Sequence, residues 1–201
     1  MSIGHLLIIA VASILVNNFV LSRFLGLCPY LGVSKQLDSA IGMGMAVIFV
    51  MTMASVATWA IYTYLLAPTT SIWKVDLTYL RTISFILVIA SLVQLVEIVL
   101  QKAVPTLYQS LGIYLPLITT NCAILGVTVL NIDKRFGFLE SVVQGFTAGL
   151  GFTLALVLMA GIREKLDLAD IPKPLKGIPI AFIVAGIMSM AFLGFSGLVT
   201  E

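Results

Sequence analysis

Long stretches free of Asp, Glu, Lys and Arg alternate with short charged connections along this chain. Residues 1–22, 39–73, 103–132, 141–162 and 177–200 carry no such side chain, and a sixth apolar run, 82–96, lies between Arg81 and Glu97. A helix that crosses the hydrocarbon core needs ~20 predominantly apolar residues. Lipid offers no partner to a backbone N–H or C=O, so such runs are helical or buried in protein. The pattern predicts six spans, near 4–26, 39–66, 79–101, 108–131, 137–162 and 177–198. The connections are too short for a soluble domain. No basic stretch precedes the first apolar run, so the first span is expected to be retained rather than cleaved as a signal peptide.

Composition narrows the class further. The 201 residues are 60% apolar and 10% charged, against about 25% charged in a soluble domain, and mean hydropathy is +1.14. So much apolar surface has no place inside a soluble globule of this size. Disorder requires the opposite composition, and a net charge of +2 is too small for a nucleic-acid footprint. The expectation is an all-α integral membrane protein.

Six spans put both termini on one side. Connections 1–2, 3–4 and 5–6 carry Lys35, Lys102, Arg163, Lys165, Lys173 and Lys176; the other side carries Lys74, Arg81, Lys134 and Arg135. The excess places those three connections in the cytoplasm and both termini outside. Within 163–176, Arg163-Glu164-Lys165-Leu166-Asp167 followed by Pro172 and Pro174 predicts a short surface helix and a turn.

The two cysteines mark an internal repeat. Cys28-Pro29-Tyr30-Leu31-Gly32-Val33 and Cys122-Ala123-Ile124-Leu125-Gly126-Val127 both fit C-x-x-L-G-V, 94 residues apart. That offset divides the chain into three spans plus three, 1–102 and 103–201. An odd number of spans per half makes it an inverted-topology repeat, with a pseudo-twofold axis in the membrane plane. Such an axis brings Cys28 and Cys122 together in the bilayer. The first and fourth helices are expected to break near them: Gly26, Pro29 and Gly32 flank Cys28, and Gly112, Pro116 and Gly126 flank Cys122. Asn17, Asn18, Thr119, Thr120 and Asn121 add polar groups to these stretches. Polar side chains at membrane depth line sites or glue helices together; the clustering around both cysteines favours a site.

Two buried thiols have three readings: a disulfide, small hydrophobes, or metal ligands. A [2Fe–2S] or [4Fe–4S] cluster takes four Cys. This chain supplies two, so the remainder must come from another chain or a second copy. Other chemistry is absent from the sequence: no haem-attachment C-x-x-C-H, no P-loop and no H-E-x-x-H. Gly42-Met43-Gly44-Met45-Ala46-Val47 fails the dinucleotide pattern at its last position, and Gly145-Phe146-Thr147-Ala148-Gly149 reads as close helix packing. Arg23 and Glu97 sit near span ends, where they can snorkel to the interface; Arg23 also lies five residues before Cys28.

The blocks Leu15-Val16-Asn17-Asn18-Phe19-Val20-Leu21, Phe24-Leu25-Gly26-Leu27-Cys28-Pro29, Val33-Ser34-Lys35, Leu111-Gly112-Ile113, Leu115-Pro116-Leu117-Ile118-Thr119-Thr120-Asn121-Cys122-Ala123, Gly161-Ile162-Arg163-Glu164 and Phe195-Ser196-Gly197-Leu198 resemble the A-subunit family of the Rnf electron-transport complex. The E subunit of the sodium-translocating NADH:quinone reductase is a close relative, and Val16-Asn17-Asn18 with Cys28-Pro29 favours Rnf. Ser22-Arg23 is a modest departure that leaves the cysteines untouched. The resemblance covers nearly the whole chain. It implies a subunit of an ion-translocating ferredoxin:NAD oxidoreductase in the bacterial inner membrane, both termini periplasmic, without independent catalytic activity. It also implies a homologous partner subunit of opposite topology, further flavin- and iron–sulfur-carrying subunits, and a [2Fe–2S] cluster held by two cysteines from each member of the pair. Onto this chain those ligands carry over as Cys28 and Cys122, with Gly26, Pro29, Asn17, Asn18, Thr119, Thr120, Asn121 and Arg23 as candidate surroundings or ion path. The resemblance assigns flavin attachment to sister subunits, so no flavin is expected on this chain. The rival of another class is a small secondary transporter without a redox centre.

Overall fold

A computed structural model describes residues 3–66, 78–103, 115–195 and 197. The predicted start of the fourth span, Leu111-Gly112-Ile113 and Lys74 lie outside the described residues. Within them the chain is all helix: α1 (Ile3–Val11), running into a π-helical turn (Ala12–Val16); α2 (Leu27–Val33); α3 (Leu37–Ile61), ending in a second π turn (Tyr62–Leu66); α4 (Arg81–Ala103); α5 (Leu115–Thr119); α6 (Cys122–Asp133); α7 (Phe138–Asp167); and α8 (Ile178–Leu193). Three helical stretches, Leu37–Leu66, Arg81–Val99 and Phe138–Asp167, are long and apolar enough to cross a membrane by length and composition; Gly4–Val16, Leu117–Asp133 and Ile178–Leu193 are shorter apolar helices. These six fall in the six predicted apolar runs. Arg163–Asp167 is not a separate surface helix. It extends α7, because no residue between Ile162 and Asp167 breaks the helix; the first proline comes at Pro172.

The α3–α7 pair is the centre of the bundle. A Cβ on Gly149 would stand 2.8 Å from Ile48 Cα, Gly44 lies against Thr153, and Gly145 lies against Ser55 and the main-chain oxygen of Met51. Rising numbers on one helix meet falling numbers on the other, so the two run antiparallel. The three glycines let the backbones approach to this distance, as read from Gly145-x-x-x-Gly149. On the other side of α7 lie α1 and its π turn, in parallel: Ser13 Oγ donates to Gln144 Oε1 at 2.6 Å, and Asn18 Nδ2 to the Gly151 carbonyl at 2.8 Å.

Around this core the contacts fall in matched sets. α1 packs on α7, and α6 on α3. α4 covers α5 and α6, and α8 covers the first π turn and α2. Leu7, Ile83, Leu87, Leu95, Ile98 and Phe182 are exposed on the outside, a surface suited to lipid or to other membrane chains.

Candidate functional site

The first apolar run stops being helical at Asn17, and one side chain makes that stop tolerable. Asn18 is fully buried. Its Oδ1 accepts from the N–H groups of Val20 and Leu21, while its Nδ2 donates to the carbonyls of Ile14 and Gly151. Backbone groups freed from the helix thus find partners inside protein, as a low-dielectric setting demands. Phe24 and Gly26 then adopt left-handed conformations, with φ of 56° and 80°. The turn they make starts α2 at Leu27, with Cys28 in its first turn. α8 closes over this segment: Ser189 Oγ donates to the Leu21 carbonyl, and Tyr30 OH to Met188 Sδ at 3.5 Å.

A second interruption follows α5. Asn121 is the N-cap of α6, its Oδ1 accepting from Ala123 N–H at 2.9 Å, the standard way to satisfy an orphan donor at a helix start. Cys122 is the first residue of α6, at the N-terminal end of a twelve-residue helix.

The two interruptions touch. Gly26 N–H donates to Cys122 Sγ at 2.9 Å. A Cβ on Gly26 would stand 2.9 Å from Asn121 Oδ1 and 2.9 Å from Phe152, and one on Gly126 would stand 2.8 Å from Leu25. Both cysteines are free and exposed. Beside Cys122 opens a cavity of ≈ 470 Å³ lined by Thr119, Thr120, Asn121, Ile86, Ile89 and Leu125. Asn121 Nδ2 is buried and has no hydrogen-bond partner among the described residues.

These features fit a thiolate-ligated group. Two accessible sulfurs, a main-chain donor on one of them and a helix N-terminus beside it are what a thiolate-ligated group requires. Among the described residues no three His, Cys, Asp or Glu side chains gather.

Of the other candidates, Pro29 is buried in α2, Asn17 and Thr119 are half-buried, and Thr120 is exposed at the second interruption. Arg23 is exposed with its guanidinium 5.5 Å from the Phe19 ring, and Glu97 is half-buried in α4. Sequence reasoning missed Arg163. Its guanidinium donates to the Leu31 carbonyl at 2.7 Å and to Ser34 Oγ at 3.0 Å, capping the far end of α2, and Glu164 accepts from Leu37 N–H at the start of α3. It also missed Gln144, Asn131 and Ser141, buried polar residues of α7 and α6. The signal available was a polar residue inside a charge-free run.

Residues 6–199 match the family model described as "Rnf-Nqr subunit, membrane protein". A protein of Serratia proteamaculans, named as the A subunit of an ion-translocating oxidoreductase complex, is 60% identical over 96% of this chain and 97% of its own. One of Acetobacterium woodii, named as the A subunit of a Na(+)-translocating ferredoxin:NAD(+) oxidoreductase complex, is 56% identical over the same shares.

Proposed function

The chain belongs to the Rnf-Nqr family of membrane subunits, and on that premise we propose that it is the A subunit of an ion-translocating ferredoxin:NAD oxidoreductase, contributing Cys28 and Cys122 to a [2Fe–2S] cluster shared with a homologous subunit. The observation that carries the reading is the Gly26 N–H···Sγ Cys122 contact. It joins the two cysteine segments, which the sequence sets 94 residues apart, and leaves both sulfurs accessible to another chain.

The reading includes a six-span inverted repeat. Met51 and Gly145, separated by the same 94 residues as the cysteines, meet where α3 crosses α7. Exchanging the halves exchanges the packing of α1 on α7 with that of α6 on α3, and of α4 on α5–α6 with that of α8 on the first π turn and α2. The antiparallel crossing of α3 and α7 gives the inverted sense. Six spans put both termini on one face, and the Lys and Arg excess on connections 1–2, 3–4 and 5–6 assigns that face to the periplasm.

When bound, the cluster supplies a one-electron carrier within ~30 Å of hydrocarbon. This chain's own residues hold and tune it. Gly26 N–H and the α6 N-terminus stabilise negative charge at Cys122, and Asn18 and Asn121 fix the two interrupted segments. These segments are the elements whose packing responds to charge at the sulfurs, and that response links electron flow to ion passage.

Iron and sulfide analysis of the purified complex, with Cys28→Ser and Cys122→Ser variants, tests the assignment. Each variant is expected to remove the same [2Fe–2S] paramagnetic signal while the complex still assembles. An unchanged signal in either variant overturns it. A transporter without a redox centre predicts no iron in any form of this subunit pair.

A further inference from the structure

Where α3, α6 and α7 meet, three oxygens have no hydrogen-bond partner among the described residues: Ser55 Oγ, Asn131 Oδ1 and Ser141 Oγ. All three residues are at most 1% exposed. They abut one turn of α7. Asn131 Nδ2 reaches the Ser141 carbonyl at 3.5 Å, and Ser55 Oγ lies against Gly145, one turn on from Ser141. Buried polar atoms are otherwise paired as a rule, so three orphaned acceptors on three elements at one place point to a missing ligand.

Packing does not require these groups. At the 94-residue offset, Asn131, Ser141 and Ser55 correspond to Leu37, Val47 and Gly149. The equivalent positions of the other half carry no polar side chain, so the polarity is a one-sided addition.

Donor chemistry selects the ligand class. The donors are hard neutral oxygens, with no carboxylate among them, which is too little charge to dehydrate a divalent ion. Asn131 lies in the last turn of α6, whose carbonyl end carries negative partial charge. We propose that Ser55 Oγ, Asn131 Oδ1 and Ser141 Oγ form a binding site for a small monovalent cation of the Na+ class. The site does not depend on the cysteine reading, since neither sulfur is among its donors.

Equilibrium binding of radioactive Na+ to the purified complex tests it. At a Na+ concentration that saturates the parent complex, the Ser55→Ala/Ser141→Ala double variant is expected to bind one ion fewer per complex. Asn131→Asp, which keeps the oxygen and adds charge, is expected to tighten that site by about tenfold, because ligand charge sets affinity in oxygen sites. If the double variant binds as many ions as the parent, or Asn131→Asp changes nothing, the orphaned oxygens hold only water and the proposal fails. Co-purification of the other subunits reports assembly; if the double variant does not assemble, Asn131→Asp decides. Cluster content is read in the same samples, so loss of the cysteine reading and loss of this site are separable.

Discussion

Gly26 N–H points at Cys122 Sγ from 2.9 Å, across an interval of 96 residues. A hydrogen bond to a ligating sulfur stabilises the more negative state of an iron–sulfur centre and raises its potential. Gly26 has φ of 80°, and a Cβ there would meet Asn121 Oδ1 and Phe152 at 2.9 Å. Gly26→Ala is therefore expected to displace the N–H and lower the potential of the proposed cluster by on the order of tens of millivolts. It also strains the fold by about 1–3 kcal/mol. A redox titration of the paramagnetic signal in the purified complex checks it; an unchanged midpoint removes Gly26 from the cluster's surroundings.

Asn18 holds the first interruption by four hydrogen bonds at a fully buried position. Asn18→Ala leaves two N–H groups and the Gly151 carbonyl short of partners. Each unmade buried bond costs about 1–3 kcal/mol. The expected outcome is a loss of several kcal/mol, seen as a clear fall in the thermal midpoint in detergent. Asn17, half-buried and without those bonds, is expected to tolerate alanine far better.

The sequence carried the coarse architecture because lipid allows few solutions: charge-free runs gave six apolar helices and placed Asn18, Gly26 and Asn121 beside the cysteines. It did not carry the extension of α7 through Arg163, Lys165 and Asp167. Charge there marked an interface, and periodicity does not tell a continuing helix from a new one. Nor did it reveal that Ser55 of α3 and Asn131 of α6 both abut the stretch of α7 from Ser141 to Gly145. Those residues are distant in sequence, and each alone reads as ordinary helix glue.

Gly149 and Gly161 lie on the same helix, in different surroundings. A Cβ at Gly149 would stand 2.8 Å from Ile48 Cα, while at Gly161 nothing lies within 4 Å. Gly149→Ala must push α3 away and is expected to cost about 1–3 kcal/mol or more, as overpacking does. Gly161→Ala is expected to be neutral or to stabilise α7 by up to about 1 kcal/mol. Thermal midpoints of the two variants, measured side by side in one detergent, check the contrast.

Arg163 holds the far end of the seven-residue helix that carries Cys28. α2 has Cys28 in its first turn and Leu31 and Ser34 at its far end, where the Arg163 guanidinium donates to the Leu31 carbonyl and to Ser34 Oγ. A cation there offsets the negative end of the helix and pins its tilt. Arg163→Ala is expected to loosen α2 and broaden the paramagnetic line shape. Arg163→Lys keeps the charge but not the forked donor, and is expected to restore part of the effect. A residue that served only to fasten the surface connection would lower the thermal midpoint and leave the line shape unchanged. Recording both in the same purified samples separates the two roles.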